Sequence, residues 1–232
     1  MSEDGVIRFK GSHYPKHLIL YAVYFYVRYA VSYRDLEEIL TERGVHIDHA
    51  TLNRWVVKYA PLIAAEAQKR KSATGRSWRM DETCIKVKGR WTYLYRAVDK
   101  EGNTLDFMLS ERRDEAAATA FFIRTIQSNG WPDKVVIDKS GANLVGLENM
   151  NILLILSGWF WLIEVLQVKY LNNIVEQDHR FIKKLTRPMQ GFKSFAAAQA
   201  TLAGIETAHM IRKGQLVGNG GTDFQQFAAL AG

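Results

Sequence analysis

The sequence predicts an α/β domain preceded by an all-α segment. Three observations carry this. Apolar residues recur with helical spacing up to about residue 68, the spacing changes to that of strands after a basic linker, and strands then alternate with helices beyond Asp114.

The first helix is expected from Pro15, a favoured helix-start residue, through the apolar and aromatic run His17–Tyr29. A second begins at Ser32, where Ser32 and Asp35 form a capping-box pattern with Asp in place of the usual Glu. Tyr33, Leu36, Ile39 and Leu40 make its stripe, and Gly44 ends it. Asp48 can cap a third helix with Leu52, Trp55, Val56 and Tyr59 on one side. Two short helices around a glycine turn form a helix-turn-helix, and His49, Asn53, Arg54 and Lys58 fall on its polar side, as in a recognition helix. A plain helical hairpin is the simpler alternative.

Residues 69–77, KRKSATGRS, read as a linker. RMDETCIKVKG, RWTYLYRAVD and NTLDFMLSER follow as three strands joined by hairpins at KGR and KEG. Asp114–Asn129 has helical spacing and acidic residues at its start, and Trp131-Pro132 breaks it. Lys134–Asp138 and Ile163–Tyr170 are expected strands. Asn172–Arg187 and Phe195–Arg212 are expected helices. This order suits a ribonuclease-H-like mixed sheet flanked by helices. The domains expected are 1–68 (helical), 69–77 (linker), 78–216 (catalytic) and 217–232 (a tail with no assigned role).

The formal net charge of +7, from 31 Lys and Arg against 24 Asp and Glu, favours a polyanionic partner, nucleic acid above all. One cysteine, Cys84, excludes an intrachain disulfide and a cysteine-based zinc site. The N-terminus lacks the apolar core of a signal peptide, so the cytoplasm is the default location. The apolar run Ile152–Ile163 is shorter than the roughly 20 residues a spanning helix needs and reads as a buried helix end leading into a strand. No membrane partner is expected.

Carboxylates are the candidate chemistry. Phosphodiester transfer is often run by two divalent ions held by acidic residues. Strand alternation places Asp81 with Thr83, Ile85 and Val87, on an apolar face where a bare charge is costly. Glu82 shares its face with Lys86 and Lys88 and reads as solvated. Asp138 ends a strand, where open α/β sheets bind ligands. In the helix from Asn172, Asp178 falls within the apolar stripe and should pair with a buried donor. Glu176 falls opposite, in line with Asn172, Arg180, Lys183 and Arg187, groups suited to phosphate. Plainer explanations stay open: a salt bridge for Asp81, a helix cap for Asp138, and a surface pair with Arg180 for Glu176. His179 reads as a hydrogen-bonding residue rather than a ligand. Trp91, Tyr93 and Tyr95 share a strand face and read as core.

The strings MDETCIKVKGRWTYLYRAVD, VVIDKSGAN and KYLNNIVEQDHRFIKKLTRPMQGFKSF, in this order behind a helix-turn-helix, resemble bacterial insertion-sequence DDE transposases of the IS-six (insertion sequence six) family. The likeness runs from about His13 to about Leu216. It implies a ribonuclease-H-like core with Asp81, Asp138 and Glu176 as the catalytic, metal-binding triad. It implies two Mg²⁺ ions, with Mn²⁺ able to substitute, and Lys183 as the family's DNA-contacting basic residue. The partners implied are double-stranded DNA, as terminal inverted repeats and as target, in an assembly of at least two copies. The chain departs from the family in the longer separation of Asp138 from Glu176 and in the apolar stretch Met150–Leu166. A catalytically impaired DNA-binding regulator and a hydrolytic nuclease of the same fold remain alternatives.

Overall fold

The computed structural model describes residues 7–9, 13–138, 144–145, 147–148, 151–152, 162–168, 172–218 and 220–232. These fall into two compact units. One comprises residues 1–72 with 182–232, the other residues 73–181.

In the helical unit, α1 (Lys16–Arg28), α2 (Tyr33–Thr41) and α3 (His49–Lys69) form where the sequence predicts helices, but α3 is not short: it continues through Pro61 for 21 residues. Ser32 and Asp35 exchange both hydrogen bonds of a capping box, and Asp48 accepts from the Thr51 amide at 2.9 Å. Gly44 takes φ +74°, a left-handed turn that a β-carbon would disfavour. Leu52, Trp55, Val56 and Tyr59 are buried. The unit also takes in α6 (Phe195–Arg212) and α7 (Asp223–Ala229).

The compact unit therefore takes in α6, which lies within the expected catalytic segment 78–216. In α6 Leu202, Ile205, Ala208 and Ile211 are buried, and Gly204 lets it approach Val27 of α1 and Ala60 of α3 closely. A helix apolar on most sides must be surrounded, but its periodicity does not name its neighbours. The tail is also structured: Phe224 and Phe227 of α7 lie against Tyr21 and Tyr24 of α1.

The second unit holds a five-stranded sheet in the order β3-β2-β1-β4-β5, where β1 is Ser77–Val87, β2 Arg90–Asp99, β3 Thr104–Ser110, β4 Lys134–Ile137 and β5 Glu164–Gln167. β1–β2 and β2–β3 are antiparallel; β1–β4 and β4–β5 are parallel. Three antiparallel strands extended by two parallel ones, with helix after β3, make a ribonuclease-H-like sheet. α4 (Glu115–Asn129), capped by Asp114, covers one face. Its Phe121 and Phe122 pack with Trp78 and Met80 of β1, Tyr95 and Ala97 of β2, and Val135 and Ile137 of β4. Each such fully buried large side chain stabilises the unit by roughly 1.5–3 kcal/mol. α5 (Asn173–Thr186) begins in this unit.

Two expectations need adjustment. Tyr95 is core and Tyr93 packs against it, but Trp91 is 62% exposed, because it stands next to the hairpin turn, beyond the cover of α4, with Lys86 over its ring. Residues 153–161 of the apolar run lie outside the described part. At its far end Ile163 is buried, and the Asn151 side chain hydrogen-bonds both its backbone groups. No helix among the described residues is long and apolar enough to cross a membrane.

Candidate active site

The site forms where β1 and β4 part. Their pairing runs from Ser77↔Lys134 to Arg79↔Val136. Carried on by two residues, this register sets Asp81 beside Asp138, the first residue past β4. Asp81, Glu82 and Asp138 each offer a carboxylate oxygen, all within 4.8 Å of one another. At that separation and an effective dielectric of about 20, two like charges repel by roughly 3–4 kcal/mol. Such a group forms only when the rest of the fold holds it.

Glu82 departs from its reading as a solvated residue. Its side chain is only 3% exposed, and Nε of Arg113 donates to it at 2.6 Å. On its face of β1 Trp78 and Met80 are buried while Cys84 and Lys86 are exposed, so Glu82 stands at the boundary between core and solvent. Arg113, just before the α4 cap, fills that boundary. Burial lowers its proton affinity, but the hydrogen bond and charge of Glu82, with the charge of Asp138, raise it overall. No pattern within β1 could name a partner 31 residues away.

α5 presents a different set. Asp178 points inward, as its place in the apolar stripe predicts, and meets the guanidinium of Arg96 at 3.3 Å. Arg96 is fully buried on β2, directly across from Asp81. His179, 4% exposed, brings Nε2 to 3.3 Å from Asp81 Oδ2, an ion-pair distance without hydrogen-bond geometry. Glu176 is half-buried and lies outside the group of three converging carboxylates. It is one turn before His179, on the same side of the helix.

Asn172 requires a correction. Expected on the outward stripe, it is 1% exposed, and its amide donates to the Met80 carbonyl at 3.3 Å. It precedes the first turn of α5, so ideal helical spacing does not fix its direction. Arg180 and Lys183 are exposed on α5, and Arg187 is exposed in the turn that follows it. In the helical unit His49, Arg54 and Lys58 are exposed and Asn53 is half-buried. His49 is held by Glu37 at 2.9 Å, and Arg54 donates to the Thr51 hydroxyl at 2.6 Å.

The donor set fits a hard divalent cation, which prefers carboxylate oxygens. The fit has a second support in His179, whose two ring nitrogens have no hydrogen-bond partner among the described residues although the ring is buried against Asp81. Asp81, Glu82 and Asp138 are the residues that could share such an ion.

A ribonuclease-H-like sheet with acidic residues at this position suits metal-assisted chemistry on phosphodiesters, and the family matches that follow make the chain a polynucleotidyl transferase. Residues 75–215 match the model of a DDE domain, DDE_Tnp_IS240. The chain is 42% identical over 214 residues to the transposase for insertion sequence-like element IS431mec of Staphylococcus aureus (strain Mu50 / ATCC 700699), covering 88% of each. It is equally similar to the transposase for insertion sequence element IS257 in transposon Tn4003 of S. aureus. The chain belongs to the insertion-sequence DDE transposases of the IS-six family. Among solved structures it is similar to the HTLV-2 integrase catalytic core domain in complex with magnesium (trimeric form), at TM-score 0.46 and 18% identity, over 67% of this chain and 98% of that one.

Proposed function

We propose that this transposase binds the terminal inverted repeats of its element and catalyses Mg²⁺-dependent strand cleavage and strand transfer on double-stranded DNA. The observation that supports it most is the convergence of Asp81 and Asp138 at the ends of two adjacent strands. In this reading Asp81, Asp138 and Glu176 form the triad, with Glu176 brought in from α5. Two Mg²⁺ ions, or Mn²⁺, would activate the attacking oxygen and offset charge on the leaving one.

Cleavage joins a water oxygen to phosphorus and breaks the bond to the element's 3′ oxygen, which leaves as a hydroxyl. In transfer that hydroxyl attacks a target phosphorus in line; a new phosphodiester forms and the displaced target 3′ oxygen takes up the proton. Arg180, Lys183 and Arg187 would grip DNA phosphates near Glu176, and Asn172 would act from inside by anchoring the start of α5. His49, Asn53, Arg54 and Lys58 would face the repeat from α3. Holding two element ends calls for at least two copies, working in the cytoplasm at the nucleoid.

The test is a joining assay with pre-cut and uncut element ends. Mg²⁺-dependent joining should vanish in each of Asp81→Ala, Asp138→Ala and Glu176→Ala. Full activity in any one removes that residue from the triad. Cutting without any joining of pre-cut ends identifies a hydrolytic nuclease instead. Repeat binding should weaken steeply with salt, as phosphate contacts require.

A further inference from the structure

Arg113 is held asymmetrically. Its Nε and a second guanidinium nitrogen both contact Oε1 of Glu82, whose side chain is 3% exposed, while the Arg113 side chain is 49% exposed. The carboxylate is therefore inside and the guanidinium at the rim. The next residue, Asp114, caps α4 by accepting from the Ala117 amide at 2.9 Å, which fixes the backbone from which Arg113 projects. Glu82 also belongs to the close group with Asp81 and Asp138, and the charge of Asp138 acts on Arg113.

A buried carboxylate beside two others is an unfavourable place for a simple surface pair. It is a fitting place to aim a cation. DNA brings further negative charge to this centre, and a guanidinium fork matches two phosphate oxygens at once, as a lysine does not. Glu82 holds the fork by Nε and one terminal nitrogen, and the Arg113 side chain stays 49% exposed at the rim of the carboxylate group.

We propose that Arg113, oriented by Glu82, binds the reacting phosphate of DNA at the catalytic centre. This rests on the polynucleotidyl-transfer reading above. Arg113 forms no covalent bond; it offsets charge on the non-bridging oxygens as the attacking oxygen joins and the 3′ oxygen leaves.

The test uses the full chain, a duplex element end nicked to expose its 3′ hydroxyl, and a target duplex. Arg113→Gln, which can still hydrogen-bond Glu82, should lower the joining rate about 10²-fold. Arg113→Lys should recover only part of it. Mn²⁺ binding without DNA, followed by calorimetry, should be unchanged in Arg113→Gln. The slope of log affinity for the nicked duplex against log salt should drop by about one. Joining within twofold of wild type, or loss of Mn²⁺ binding together with joining, overturns the assignment. If wild type itself joins nothing, the transfer reading fails. An unchanged salt slope then separately overturns the role of Arg113.

Discussion

Removing the Asp178 carboxylate should cost far more than a surface ion pair would. The partner guanidinium of Arg96 is fully buried, the Asp178 side chain is 12% exposed, and the two meet at 3.3 Å. Breaking such a pair from one side leaves a charge in a place poor in water, a loss of about 3–5 kcal/mol. That shifts the folding equilibrium by two to nearly four powers of ten, since each factor of ten is about 1.4 kcal/mol. It is a large part of the roughly 5–15 kcal/mol that holds a domain together. For a chain of this size the melting temperature should fall by roughly 6–20 °C. Asp178→Asn should lose less, because an acceptor remains. Arg96→Met with Asp178→Leu should recover most of the loss, because replacing both charges by apolar groups removes the desolvation penalty. Urea unfolding followed by tryptophan fluorescence suits the measurement, since Trp78 is buried in the same unit. A loss below about 1 kcal/mol for Asp178→Ala, or a double variant no better than the single one, would refute the reasoning.

Gly204→Ala should lower the melting temperature although alanine favours helix by about 1 kcal/mol. The new carbon would stand 2.7 Å from Val27 Cγ1 and 3.0 Å from Ala60 Cβ, and overpacking of this kind costs about 1–3 kcal/mol; a rise in melting temperature counts against the tight approach. Ser32→Ala should remove about 1 kcal/mol by breaking the capping box, and a chemical denaturation curve that overlays wild type would count against it. His179→Ala should weaken Mn²⁺ binding about 10–100-fold if the ring positions Asp81, with His179→Gln partly restoring it. Calorimetry showing unchanged affinity would leave His179 a packing residue.

The local signals were readable wherever one short stretch carries its own cause. The capping box at Ser32, the cap at Asp48, the left-handed Gly44 and the inward turn of Asp178 all follow from spacing and side-chain chemistry within a few residues. Glu82 was misread because its environment comes from a loop far along the chain. Trp91 was misread because strand alternation says which face a residue is on but not where the covering helix stops. Asn172 was misread because a residue just before a helix does not obey the helical wheel.

By itself, the sequence determined the strand and helix order, the basic charge, the family, and the acidic residues worth testing. Those depend on periodicity, composition and short motifs, which the chain carries locally. Only the tertiary structure decided that Asp81 and Asp138 converge with Glu82, that Arg113 and His179 border them, and that α6 and α7 complete the N-terminal helical unit. These depend on strand register and on which apolar surfaces meet, and both are settled by packing between segments distant in the chain.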